Sequence, residues 1–333
     1  MTLPLMNSTN ITSNITSNPA ATVVAIVLLI SLNLLQSSAV SATGIAKPGT
    51  INAAQQTYSW IGGTGSWDVA ENWQPDGIPG TGDIVTITNG EVTIGGNRSV
   101  GQLTVGISGH LTGTGNLTIS GQLTLSSTSV IDVDGDIETA GLFTWSAGRL
   151  AGEGVLTALG GVSITGGVGS GKILDGRELI VTSGTMLTSN GQQFSGRNGA
   201  KIVIQDDAEL DITLTNNFNV FTVGEGGAEI VNRGTIRKTT GTTGVIPIDW
   251  AITNSGEIVM DQADAHLRLT GAISDDGGTY RVDAGTLTFD NRGRSEPYVF
   301  TSSSSILTSP GSLIRFSAFP NTDDDTIYEV AGT

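Results

Sequence analysis

The chain has 333 residues, among them 47 glycines, only 5% aromatics and no cysteine. Its formal charge of −16, with only 15 Lys plus Arg, leaves no basic surface for a phosphate backbone, so nucleic acid is excluded as a partner. Without cysteine there are no disulfides and no thiolate chemistry, and so few bulky side chains do not suit the wide centre of a compact globule.

Residues 1–42 read as a signal peptide or an N-terminal anchor. Met1 to Pro19 is polar, Ala20 to Leu35 is an apolar run, and Ser37-Ser38-Ala39-Val40-Ser41-Ala42 offers small residues for a cut after Ala42. The segment before the run carries no Lys or Arg, unlike a usual signal, whereas roughly 16 apolar residues fall short of the about 20 that a spanning helix needs. Either way the remainder is expected to be exported, to an extracellular or cell-surface location. The mature chain then has no membrane contact unless the segment stays uncleaved.

Residues 43–57 read as a linker and 58–98 as a Trp/Gly-rich N-terminal cap. The cap holds Trp60-Ile61-Gly62-Gly63-Thr64-Gly65-Ser66-Trp67-Asp68, then Asn72-Trp73 and Pro79-Gly80-Thr81-Gly82-Asp83. Aromatics among turn residues suit the covering of a repeat array's first edge. The same Trp60, Trp67 and Trp73 are the candidate sugar-stacking residues, with buried cap packing the plainer reading.

Residues 99–290 repeat. Gly101-Gln102-Leu103-Thr104-Val105 returns twenty positions on as Gly121-Gln122-Leu123-Thr124-Leu125, and again as Gly141-Leu142-Phe143-Thr144-Trp145. Leu111 maps onto Ile131 and Leu117 onto Ile137 at the same lag. Ile131, Ile137 and Phe143 then match Leu150, Leu156 and Val162 nineteen on, and Leu150, Leu156 and Ile164 match Ile173, Leu179 and Leu187 twenty-three on. The last step places an insertion in the corner Gly166 to Gly171. Leu179, Val181 and Leu187 continue at that lag to Ile202, Ile204 and Leu210, and Ile236, Ile258 and Tyr280 recur at twenty-two. Three apolar positions per unit, with length changes at glycine corners, predict an all-β chain. The specific fold is a right-handed parallel β-helix, a three-sided β-solenoid with coils of about 19–23 residues and roughly 10 to 12 of them. Only Pro247 falls between Gly80 and Glu296, as a ladder requires. Asn232 and Asn254 occupy matching corners, where their amides are expected to bond from coil to coil. Residues 291–333 read as irregular terminal coils ending in an acidic tail at Asp323-Asp324-Asp325.

The tryptophan-glycine, asparagine-tryptophan opening and the recurring Asn-x-Gly-x-Ile of the coils resemble bacterial exported β-solenoid surface proteins, the filamentous-haemagglutinin and autotransporter-passenger type. The resemblance implies a non-enzymatic surface or matrix protein with an adhesive or structural display role, and glycans or surface proteins as partners.

Few residues point to chemistry. Asp132-Val133-Asp134-Gly135-Asp136-Ile137-Glu138 sets carboxylates around a glycine turn, and Asp132, Asp134, Asp136 and Glu138 are the candidate calcium ligands. Calcium is the one cofactor the pattern admits, in a calcium-stabilised structural repeat; an acidic corner in solvent is the plainer reading, because the full twelve-residue loop is absent. A carbohydrate-active enzyme is the other alternative, with Asp206, Asp207, Glu209 and Asp211 near Lys201 as its carboxylates, although strand alternation is expected to scatter these over both sides. His110 and His266 are too distant in repeat order for a triad or a histidine metal site. Thr104, Thr124 and Thr144 form a single hydroxyl column, too narrow for a flat water-ordering surface.

Overall fold

A computed structural model describes residues 54–166, 171–188, 193–213, 221–240, 244–290, 298–317 and 327–331. The expected signal segment, residues 43–53 of the linker, most of the glycine corner 166–171 and the acidic tail lie outside the described residues. From Ala54 onward the chain forms one unit of stacked parallel β-coils.

Each coil contributes three short strands that point to three faces. In one coil these are Gln102–Val105, His110–Gly113 and Leu117–Ile119; in the next they are Leu123–Leu125, Val130–Val133 and Ile137–Thr139. On the first face Leu103 lies against Leu123, Leu123 against Phe143, and Phe143 against Val162. On the second Leu111 pairs with Ile131 and Ile131 with Leu150; on the third Leu117 pairs with Ile137 and Ile137 with Leu156. All these side chains are buried, whereas Thr104, Thr124 and Thr144 between them stand half-buried on the outer surface. Alternation therefore does the sorting: i and i+2 fill the core of a coil too narrow for anything larger, and i+1 faces water. Burying each Leu or Ile is worth about 1.5 to 3 kcal/mol, which the coil gains only when a neighbour covers it.

The repeated glycines have a steric cause. At the corner leading into the first face, Gly101, Gly121, Gly141 and Gly160 each sit on the backbone of the coil beneath. A Cβ at these positions would lie 2.4 to 2.6 Å from that backbone. A second column, Gly115, Gly135 and Gly154, fills the corner between second and third faces, with a Cβ approach of 2.1 to 2.4 Å to the carbonyl oxygen below. Only hydrogen fits in either column.

Register differs from expectation by one residue on two faces. Leu150 pairs with Leu174 rather than Ile173, and Leu210 pairs with Met186 rather than Leu187. Leu174 and Met186 are wholly buried. The step is twenty-three on the third face, Leu156 to Leu179, but twenty-four on the other two, because corners gain or lose a residue independently. Between Val181 and Ser183 the ladder shifts register, and the strand Ala200–Ile212 rounds its corner without a break. Steps also run wider than expected, from eighteen residues, Val85 to Leu103, to twenty-eight, Ile204 to Asn232.

The parallel ladder begins earlier than residue 99. Thr57–Trp60 pairs with Ile84–Ile87, which pairs with Gln102–Val105, so the second half of the expected cap is already solenoid. It also runs past residue 290, through Ser305–Thr308 and Leu313–Ser317. The stack comprises about nine turns, fewer than the expected 10 to 12, because several coils are longer than the expected 19–23 residues. Among the described residues no α-helix occurs, and one 3-10 turn, Ala70–Asn72, lies in the cap. Pro247 lies in Val245–Ile248, where the ladder to the coil beneath is thinnest, with Phe221 and Ile248 the one registered pair.

Candidate functional site

The acidic corner joins Val130–Val133 on the second face to Ile137–Thr139 on the third. Ile131, Val133 and Ile137 are core, so Asp132, Asp134 and Glu138 face outward. Asp132 Oδ2 accepts from Arg149 Nη2 at 2.7 Å, and Asp134 Oδ1 accepts from the Glu153 N–H at 3.4 Å. Asp136 belongs to a chain of corner bonds. Asn97 Oδ1 accepts from the Asn116 N–H at 3.2 Å, Asn116 Oδ1 from the Asp136 N–H at 2.9 Å, and Asp136 Oδ1 from the Val155 N–H at 2.9 Å. Each side chain thus ties its corner to the next.

A cation already stands behind this corner. Arg177 is wholly buried and its guanidinium reaches down through two coils. Nη1 donates to the Val133 carbonyl and to that of Ala151 at 2.9 Å; Nη2 donates to Gly135 at 2.9 Å and Val155 at 3.1 Å. Burial lowers its pKa to about 10, opposed by the nearby charges of Asp136, Asp134 and Asp132, so it stays charged at neutral pH. The turn carbonyls of Val133 and Gly135, which calcium would recruit, accept from a guanidinium. Among the described residues no three acidic or histidine side chains converge as metal ligands.

Above Asp132 a charge ladder climbs the second face. Arg149 also reaches Asp175 at 3.2 Å, and Arg197 reaches Asp175 at 2.8 Å. Burial pushes the Asp175 carboxyl up, but bonds from Arg197 and Asn198 and the charges of Arg197 and Arg149 together hold it below its ordinary value. The polar theme continues inside the third face, where Ile204, Asn232, Asn254 and Asp275 are successive occupants of one inward column. Asn232 Nδ2 donates to Asn254 Oδ1 at 2.7 Å, as the matching corners predicted. Asp275 closes the column by accepting from Tyr280 Oη at 2.9 Å and from the Thr301 N–H at 2.9 Å.

Trp60, Trp67 and Trp73 are buried in the cap. Trp73 meets both others edge-on, with ring centroids 4.9 and 4.8 Å away. Trp73 Nε1 donates to the Trp67 carbonyl at 2.8 Å, Trp67 Nε1 to Pro79 at 3.3 Å and Trp60 Nε1 to Gly63 at 3.2 Å. With every indole spoken for and at most 3% exposed, the rings leave no face for a sugar to stack on.

The second carboxylate group does not scatter through the strand. Because the chain bends near Gln205 to Ala208, alternation restarts there: Asp206 and Asp207 lie exposed at the corner, and Glu209 and Asp211 face outward on the first face. Glu209 pairs with Arg237 at 3.6 Å and Asp211 accepts from Thr239 Oγ1 at 3.2 Å. His110 stands 3.7 Å from Glu91, many coils from His266. His266 borders a cavity of about 430 Å³ with Asp264, Asp283, Gly285, Thr286 and Leu313, and its Nε2 lies 2.7 Å from Thr288 Oγ1. Burial, with the charges of Arg315 and Arg268, pushes its pKa down to about 4, so the imidazole is neutral at pH 7.

Sequence reading missed Arg177 and two buried lysines, Lys172 and Lys238, whose ammonium groups burial pushes down to about 8. Lys172 lies on the ladder between Gly148 and Phe194. The expected match of Ile173 to Leu150 turns Lys172 outward, whereas Leu174 takes that place and Lys172 faces in. Nothing in the sequence around Arg177 signals its reach, since its partners are carbonyls.

Comparison with protein-family models, with curated proteins and with solved structures finds no match for the chain.

Proposed function

We propose that this chain is a non-enzymatic, exported surface or matrix solenoid whose outer faces serve adhesion or structural display, with glycans or surface proteins as partners. One observation supports the reading above others: the charged and amide side chains at the corners are engaged in fastening coil to coil. Asp132, Arg149, Asp175 and Arg197 form one continuous ladder, and Arg177 clamps two coils at four carbonyls. A catalytic carboxylate must be free to move a proton; these are held by cations and amides. A stiff stack with an acidic, threonine-rich exterior suits presentation outside the cell.

The purified chain, applied to glycan and surface-protein arrays and incubated in parallel with acidic polysaccharides, tests this. Retention on an array without new unsaturated or reducing ends is the expected result. Release of such ends would replace it with a polysaccharide lyase or hydrolase, and the carboxylates of the Asp206 corner and the His266 cavity would be the first to mutate.

A further inference from the structure

Among the described residues, the inward apolar column of the first face is open at its far end. The inward column of the first face runs from Val85 and Leu103 through Ile258 to Tyr280, wholly buried at each of these steps, and ends at Ile306, which is 39% exposed. Beside it Leu307 is 49% and Val299 67% exposed. Ser305–Thr308 pairs with residues 279–282 on its inner side, and among the described residues no strand pairs with its outer edge.

Two other end edges are closed. At the start of the stack Trp73–Gln74 crosses Thr57–Trp60 antiparallel, and at the far end Ile327–Ala331 pairs antiparallel with Leu313–Ser317 on the second face. The open edge is also free of charge. From Tyr298 to Ile314 there is no Asp, Glu, Lys, Arg or His, in a chain whose formal charge is −16. Soluble proteins guard such edges with charges, proline or a bulge, because unpaired N–H and C=O groups beside apolar side chains recruit another strand.

We propose that a second copy of this chain covers the edge, in a tail-to-tail dimer in which Ser305–Thr308 pairs antiparallel with its own counterpart. Two features select this partner. Head-to-tail stacking would need the first-face edge at the other end, which Trp73–Gln74 occupies. A twofold axis instead presents the strand antiparallel to itself, so one surface satisfies both backbones and the contact closes at two copies. Two molecules of strong negative charge also approach at lowest cost where neither carries charge.

The full chain is compared with its Leu307→Lys variant by analytical ultracentrifugation over a concentration series. Leu307 is exposed, so the variant keeps the fold, which circular dichroism checks. The expected result is a concentration-dependent dimer whose dissociation constant rises by about 100-fold in the variant, through paired ammonium groups in an apolar contact. Because the chain has no cysteine, Leu307→Cys is expected to link to its own copy under mild oxidation, while Gln74→Cys at the opposite end is not. A wild-type monomer at every concentration, a dimer indifferent to Leu307→Lys, or linkage through Gln74→Cys alone would overturn the proposal.

Discussion

Arg177 is the side chain on which coil-to-coil bonding converges most. It brings a fork of donors to four carbonyl oxygens in two lower coils. A buried guanidinium is costly by itself, and its depressed pKa of about 10 records that cost. The three aspartates of the corner offset part of it from outside. Truncation in Arg177→Ala leaves the carbonyls unpartnered and opens a void, and the expected loss is about 3 to 5 kcal/mol. Arg177→Lys restores a charge and three donors without the planar fork, so an intermediate loss is expected. Urea denaturation followed by circular dichroism measures both; equal midpoints for wild type and Arg177→Ala would show that the guanidinium does not hold the coils together. The corner's resemblance to a calcium loop thus has a physical origin. Carbonyls of the turn bond to a cation, and that cation is a residue some forty positions away.

The corner decides the spacing of elements, and glycine decides the corner. In the ladder of Gly101, Gly121 and Gly141 the backbones approach so closely that a methyl group would meet the main chain beneath, which has no rotamer with which to yield. Gly121→Ala is therefore expected to cost about 1 to 3 kcal/mol, whereas Gly63→Ala in the cap, with nothing within 4 Å, stays near neutral. Thermal melts of the two variants side by side check this, and equal shifts would refute the steric account. The same geometry explains how much was legible. Glycine at fixed lag with Leu or Ile two positions on, as in Gly121-Gln122-Leu123, encodes close approach followed by an inward side chain, so the solenoid, the register of the coils from Leu103 to Val162 and the Asn232 to Asn254 contact could be read directly. The reading slipped by one residue at Lys172–Asp175, just past the lengthened glycine corner, and at Met186 in Glu178–Thr188, which rounds its corner unbroken and lacks that punctuation. That slip hid Lys172, and no periodic pattern reports a side chain that spans coils, so Arg177 escaped as well. The Trp60, Trp67 and Trp73 cluster was visible as a cap, but its interlocking indole bonds to carbonyls depend on turns that the sequence does not order.

At the scale of the whole stack each coil packs mainly on the coil above and below, Arg177 being an exception that reaches two coils down, so stability is close to a sum of nearest-neighbour terms and an end coil has half the support of an inner one. The cap makes up that deficit. Trp73 is wholly buried, meets Trp60 and Trp67 edge-on, and belongs to the short strand that closes Thr57–Trp60. Removing its ring in Trp73→Ala is expected to cost about 3 to 5 kcal/mol locally. In a nearest-neighbour stack that loss is felt first by the strands it covers. Hydrogen exchange read by mass spectrometry should show amides of Thr57–Trp60 and Ile84–Ile87 losing protection, with progressively less effect at Gln102–Val105 and Leu123–Leu125 and none at residues 200–204. An even loss along the entire chain would instead mean that the coils unfold as one cooperative unit. The cap would then stabilise every coil equally, and the partial coils at the two ends would have no claim to independent behaviour.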